Sequence, residues 1–257
     1  MEEILKLFSL KDKVAVVTGG AVNIGRGISF KLAAAGAKVA IIYNSSNAQA
    51  LDISAGLKKS DYEHLLLKAD LTKEIEVIDA IRKVAEHFGR IDVLVNNAGV
   101  FGLSIQHELA VESWDEIFNL NLKGLFLCSR EVLKLMMKQA EGGTIVNIAS
   151  INGMHPGFGM TAHYDASKGG VIAYTRSLAA EVAPFGIRVN AVAPGLVDSE
   201  NLRKFASDLA STVEKRTPLK KLASPEDVAN TVLFLVSKAA SHITGEIITV
   251  DGGYLLT

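Results

Sequence analysis

The sequence predicts an α/β protein, a doubly wound parallel β-sheet flanked by helices on both faces, in a single domain. Three observations predict it. Short runs of continuous apolar residues recur along the chain, and strands without polar alternation are strands buried on both faces. Each run is followed by helical apolar spacing, the order that parallel strands with crossover helices require. The 257 residues are 49% hydrophobic and 21% charged, with no linker, charge run or low-complexity stretch to divide them, so residues 1–257 read as one domain with a large core.

The first run, VAVVT at residues 14–18, is β-branched and stops at glycines; residues 24–36 then carry Ile24, Ile28, Leu32 and Ala35 at helical spacing. The alternation continues with a strand at 38–43 and a helix at 48–57, a strand at 65–69 and a helix at 75–88, and a strand at 91–95 before a longer helical region. In the second half a strand at 144–149 precedes a long helical pattern, a strand at 187–193 precedes a polar segment, and a helix at 225–236 leads to a last strand at 246–250. Two successive β-α-β-α-β halves are the internal repeat. Sheets wound this way, the Rossmann fold among them, bind ligands beyond the carboxyl ends of their strands, and the polar motifs of this chain fall there.

The first of these motifs is TGGAVNIGRG, residues 18–27, between the first strand and the first helix. Gly19 and Gly25 permit a tight turn and a close approach of backbone N–H groups to phosphate, and a helix starting near Ile24 adds the positive end of its dipole. For this loop alone, a plain strand-to-helix turn is the alternative.

The second is SINGMHPGFGMTAHYDASK, residues 150–168. Ser150 closes an apolar run, and Tyr164 and Lys168 stand four apart on one helix face, about 6 Å from each other. Tyrosine, with a pKa of about 10, is a poor base at neutral pH; an ammonium at that distance, with a cationic oxidised nicotinamide, would favour the phenolate while Ser150 holds a substrate oxygen. This constellation fits proton transfer to or from an alcohol or ketone, with hydride moving elsewhere. A Tyr-x-x-x-Lys pair also occurs in ordinary exposed helices; the serine-ended strand and the glycine loop favour the chemical reading.

On these residues the chain resembles the short-chain dehydrogenase/reductase family, whose loop reads T-G-x-x-x-G-x-G; Asn23 stands where the middle glycine is usual, and asparagine tolerates positive φ better than most residues. Further motifs follow in the family's order. Asp70 and Leu71 in ADLT resemble the adenine-contacting pair, although Asp70 also reads as a helix-start residue. Asn97, Ala98 and Gly99 in NNAG resemble the segment along which the ribose passes. Asn121 in FNLNLKG resembles the catalytic asparagine, which binds a water linking the lysine to solvent; by itself it reads as a mid-helix polar residue or a kink. Pro194, Gly195 and Val197 resemble the loop that contacts the nicotinamide amide, with Ser199 where threonine is usual. The resemblance covers nearly the whole chain, through ITGEIITVDGGY.

The resemblance implies an NAD(P)-dependent oxidoreductase interconverting a secondary alcohol and a ketone. Tyr164 is its general acid or base, Lys168 lowers the tyrosine pKa and holds the nicotinamide ribose, Ser150 polarises the substrate oxygen and Asn121 supports the proton path. Glycine-loop residues Gly19, Asn23, Ile24 and Gly25 are expected to hold the pyrophosphate. Cofactor choice turns on Tyr43, Asn44, Ser45 and Ser46 after the second strand, where no carboxylate repels a 2′-phosphate; NADP is expected over NAD, modestly, because no arginine or lysine stands there. Arg26 is close in sequence.

Of the substrate classes, a small polar alcohol, sugar or polyol is expected, with a 3-oxoacyl thioester on an acyl carrier protein as the alternative. Carrier-protein reductases place arginines where this chain offers Glu141 and Phe185. A non-catalytic dinucleotide-binding protein is the alternative of another class. Substrate lining is expected from residues 152–163, with His155 and His163 read as solvated loop residues, and from the segment after Pro194.

The net charge of −1 gives no footprint for nucleic acid or anionic membrane. Cys128 is the one cysteine and the six histidines lack ligand spacing, so neither a disulfide nor a metal site is expected. The start of the chain lacks the pattern of a signal peptide, and a cytoplasmic enzyme is the expectation. Residues 197–222, with Leu202, Phe205, Leu209 and Val213 at helical spacing, read as a lid. Apolar faces on the helical patterns at 122–137 and 171–180, and the apolar end YLLT, together with the resemblance, lead to a homotetramer as the expected assembly.

Overall fold

The computed structural model describes residues 2–257, with the side chains of all but Glu2, Glu200, Asn201 and Phe205. Seven strands, β1 (Val14–Thr18), β2 (Lys38–Tyr43), β3 (His64–Lys68), β4 (Val93–Asn96), β5 (Gly143–Ile148), β6 (Ile187–Pro194) and β7 (Ile247–Val250), form one sheet in the order β3-β2-β1-β4-β5-β6-β7. Every pairing is parallel. The order reverses between β1 and β4, and a crevice opens beyond the carboxyl ends of strands at such a point.

The connecting helices are α1 (Glu2–Phe8), α2 (Asn23–Ala34), α3 (Asn47–Lys59), α4 (Glu74–Phe88), α5 (Val111–Phe118), α6 (Leu125–Met136), α7 (Ala162–Val182), α8 (Glu200–Phe205), α9 (Ser207–Arg216) and α10 (Pro225–Val236). Strand periodicity divides the apolar residues between two cores. Ala15 and Val17 pack with Ile28 and Leu32 of α2, Ile53 of α3 and Val232 of α10. Val14 and Val16 point the other way, to Ile81 of α4, Val132 of α6 and Leu178 of α7. Both faces being dry at the centre of the sheet, β1 and β2 need no polar side, and this is why their runs read as continuous; the edge strands β3 and β7 are only partly buried.

Element edges lie within two residues of those expected from the sequence. Two features differ in kind. The short helix α1 leaves Ile4, Leu5 and Leu7 exposed, so no core periodicity announces it. Between α5 and α6, residues Asn119–Gly124 form a π-helical turn and not a regular α-turn. The polar segment expected as a lid contains α8 and α9, with Ala210 and Val213 buried against Ile151, Leu222 and Tyr254; the Phe205 side chain lies outside the described residues.

Candidate active site

Ser150 follows β5 and caps the short turn that begins there, its Oγ accepting the Asn152 N–H at 3.2 Å. Tyr164 and Lys168 leave the first two turns of α7 toward it, as the i, i+4 spacing requires. All three side chains line one cavity of about 290 Å3, with Phe101, Pro194 and Gly195 on its walls. Lys168 is buried, and its Nζ donates to the Ile148 carbonyl at 2.8 Å and lies 5.8 Å from the Tyr164 ring centroid.

Without a cofactor, burial dominates the electrostatics of this trio. Burial pushes the Tyr164 hydroxyl up, a hydrogen bond with Ser150 acts the opposite way, and the Asp165 charge adds to the upward shift. Lys168 is itself pushed down to about 8 by burial. Desolvation thus disfavours the charged form of both groups when no cofactor charge is present.

Asn121 sits in the π turn, fully buried. Its Oδ1 accepts the Val100 N–H at 2.8 Å, and its Nδ2 donates to the Val100 carbonyl at 2.9 Å and to Ser167 Oγ at 3.1 Å. The widened turn aims this side chain at the chain beyond β4. Gly99 is wedged there: a Cβ on it would lie 3.0 Å from Asn121 Oδ1 and 3.6 Å from Lys168 Nζ.

A second cleft, of about 670 Å3, opens beside the first and shares Gly99 and Val100 with it. Gly19, Asn44, Ser45, Ser46, Asp70, Leu71 and Ala98 line it, so these sequence-selected residues come together. Ile24, Asn97 and Val197 line the first cavity. Asn97 also ties the end of β4 to the glycine loop, its Nδ2 donating to the carbonyls of Thr18 at 2.9 Å and Gly19 at 3.2 Å. Asp70 has both roles weighed for it. It borders the cleft, and its Oδ1 accepts from Thr72 N and Oγ1 at 3.0 and 2.7 Å, holding its carboxyl below the usual range.

The glycine loop fits a phosphate. Gly19 has φ +62° and Asn23 φ +46°, and a Cβ at position 25 would lie 2.2 Å from the Gly19 carbonyl oxygen. Asn23 and Gly25 therefore shape the loop without lining either cleft. No side chain caps α2 and no acid stands in its first turn, so its leading N–H groups remain available to an anion. The loop and the adjoining cleft along Asn44–Ser46 are of a size and chemistry that fit a dinucleotide.

Two further expectations are corrected. Ser199 lines neither cleft; its Oγ accepts the Leu202 N–H at 3.2 Å and caps α8, because the chain turns away from the cavity after Val197, which bridges to Ala223. His155 is exposed as expected, but His163 is not a solvated loop residue: it is buried in the first turn of α7, with its Nδ1 unpartnered. Sequence reading also missed Phe101, which lines the cavity and meets the Tyr164 ring edge-on at 4.9 Å and 74°. Its only signal was proximity to NNAG. Val22 and Thr72 in the second cleft were equally unmarked as wall residues.

The family described as enoyl-(acyl carrier protein) reductase matches residues 19–255. A 3-oxoacyl-[acyl-carrier-protein] reductase, FabG, of Staphylococcus epidermidis is 39% identical over 244 residues, 94% of this chain and 98% of that one. The 3-oxoacyl-[acyl-carrier-protein] reductase of a Synechocystis species is 39% identical over 251 residues, 96% and 99% of the two chains. Of solved structures, gox2181 superposes with a TM-score of 0.94 at 36% identity, covering 98% of this chain and 99% of its own. A Serratia marcescens short-chain dehydrogenase/reductase variant gives 0.90 at 34%, covering 95% and 98%.

Proposed function

Because the chain belongs to the short-chain dehydrogenase/reductase family and is an oxidoreductase of NAD(P), we propose that it reduces the ketone of a 3-oxoacyl thioester to the secondary alcohol. The observation that carries this reading is the convergence of Ser150, Tyr164 and Lys168 in one cavity that adjoins a dinucleotide-sized cleft. The relatives named above favour the thioester over the small polar alcohol, sugar or polyol expected first. A non-catalytic role is set aside, since the proton-transfer groups are all present.

A bound reduced nicotinamide would supply the hydride. The Ser150 hydroxyl holds the carbonyl oxygen, and Tyr164, kept protonated by its surroundings, gives its proton to the alkoxide as it forms. Lys168, fixed by the Ile148 carbonyl, stands where it can restore that proton and hold the ribose. Asn121 fixes Val100, and with it the wall shared by the two clefts.

The preferred cofactor in this reading is NADP. No carboxylate follows β2, and the Ser46 side chain makes no capping bond; the Asn47 N–H is taken by the Ser45 carbonyl at 2.9 Å, which leaves the Ala48 and Gln49 N–H groups of α3 open to a 2′-phosphate. Arg26 adds nothing there: it pairs with Asp52 at 2.9 Å and stacks on Phe30 at 5.1 Å. The assembly is a homotetramer in this reading, supported by an apolar hollow at Phe118, Leu122, Phe126 and Tyr174; light scattering at the monomer mass of 27.4 kDa would count against it.

The test is turnover of an acetoacetyl thioester with NADPH and with NADH. Wild type should reduce it, and Tyr164→Phe should lose about 10²–10⁴-fold in kcat while keeping cofactor affinity. Wild-type turnover in that variant, or no ketone reduced at all, would sink the reading. Asn44→Asp should move the kcat/KM ratio toward NADH.

A further inference from the structure

The two loops that border the reaction cavity, residues 99–105 and 151–161, contain no Lys, Arg, Asp or Glu. They expose large apolar side chains instead: Phe101 at 55%, Leu103 at 58%, Ile105 at 45%, Met154 at 43%, Phe158 at 47% and Met160 at 50%. Single exposed apolar residues are ordinary on a protein surface; six on adjoining loops beside a reactive cavity are not.

The loops are joined. The Ser104 N–H donates to the Met160 carbonyl at 2.8 Å. The second loop runs from Ser150 to Tyr164 and so connects two walls of the cavity, while the first carries Phe101, which lines that cavity and abuts the Tyr164 ring. Neither loop is loosely held. Asp165 gathers the second through Asn152 Nδ2 at 2.9 Å, Gly157 N at 3.0 Å and Thr161 Oγ1 at 2.9 Å. Phe158 meets the Tyr254 ring at 6.4 Å, and the first loop is packed closely enough that a Cβ on Gly102 would lie 2.9 Å from His163 Nε2. The apolar side chains are therefore presented in a set arrangement, and a ligand meeting them has little ordering left to do.

We propose that this rim seats the apolar, uncharged part of the substrate, with Phe101, Phe158 and Met160 setting a preference for chain length or aromatic bulk beyond the reacting ketone. The inference deepens the reductase reading and rests on it. A sugar or polyol would find almost no hydrogen-bonding side chains on this rim, and an acidic carrier protein would find no cation on it. Phe185 and Glu141, the latter already paired with Lys13, offer none at the positions where carrier-protein reductases place arginines. The substrate is thus selected by its own apolar body and not by a carrier. A second copy of the chain is the rival occupant.

The experiment uses the intact protein and straight-chain 3-oxoacyl N-acetylcysteamine thioesters from about four to about twelve carbons, beside a polyhydroxylated ketone of similar size. In wild type, kcat/KM should rise about two- to fourfold per added methylene until the rim is covered. Phe158→Ser and Met160→Ser, both at exposed positions, should lower the ratio of long-chain to short-chain kcat/KM by about tenfold. A flat wild-type series, a preference for the polyhydroxylated ketone, or equal loss on all chain lengths in the variants would overturn the inference and leave the reductase reading standing. Reduction of no ketone would remove both. Light scattering on the double variant addresses the rival, and a change of assembly with an unchanged chain-length series would overturn the rim as a substrate seat.

Discussion

The first turns of α2 and α10 lie side by side, close enough that a Cβ on Gly27 would come within 3.1 Å of the Pro225 carbonyl oxygen, yet they end in opposite ways. α10 closes its own donors. Ser224 Oγ accepts the Asp227 N–H at 3.2 Å, Asp227 Oδ2 accepts the Ser224 N–H at 2.7 Å, Pro225 takes the position where no N–H is needed, and Glu226 adds negative charge. α2 does none of this: Val22 cannot cap it, its first turn holds no acid, and its donors face the glycine loop. The difference teaches what separates a scaffold helix from a binding one. The first is finished by its own side chains, and the second is left for a ligand to finish.

The largest way to break the contrast is Gly25→Ala, whose methyl would collide with the Gly19 carbonyl and Asn97 Nδ2 at 2.2 and 2.5 Å. Cofactor Kd should rise more than about a hundredfold, read by nicotinamide fluorescence, because the phosphate cradle is displaced. Next is Val22→Asp, which turns an extended N-cap residue into a real cap. The cofactor-free protein should gain about 0.5–1 kcal/mol in urea unfolding while cofactor binding weakens about tenfold, the carboxylate occupying the donors that phosphate uses. Equal or tighter cofactor binding there would show that the open donors of α2 are not the anion site. The mirror change, Ser224→Ala, should cost about 1 kcal/mol, a fall of about 2–4 °C in Tm, with cofactor Kd unchanged.

A last test sets the contrast beside a group finished by neither cap nor counter-ion. Lys168 titrates at about 8 in the folded protein against 10.5 when unfolded. Between those values the unfolded chain binds more protons, so stability from this group is complete above 10.5 and is lost as pH falls to about 8. Lys168→Met should flatten the rise in cofactor-free stability between pH 8 and 10, where Tyr164, shifted upward, does not yet oppose it. An unchanged pH–stability curve in that variant would contradict the buried, depressed lysine.

The capped helix and the open one differ in legibility too. Pro225 and the apolar spacing behind it mark α10 in the sequence, and the glycines of residues 18–27 mark the loop before α2. The sheet was readable for the same reason, since strands such as Val14–Thr18 and the middle of Lys38–Tyr43 are dry on both faces and carry an unbroken apolar signature. The site was readable where spacing decides geometry, as for Tyr164 and Lys168 on one helix face. It was not readable where distant packing decides: His163 is buried by the loop of Gly102, and the Tyr164 pKa is set by desolvation that no local motif encodes. Ser199 capping α8 shows the same limit, because a hydroxyl suits a cap as well as a ligand contact.

The π turn at Asn119–Gly124 has a consequence for the phase of everything after it. Each residue of a regular helix advances the direction of its side chain by about 100°. The extra residue accommodated in that turn thus sets which way α6 faces, and it is this phase that sends Leu127, Val132 and Met136 into the core while Asn121 reaches Val100. Position and packing are locked to one count of residues. Winding that turn as regular α-helix with all its residues kept would rotate every buried side chain of α6 by about 100° toward a neighbouring face, so the irregular turn cannot be regularised at this chain length without giving up the layer that supports it.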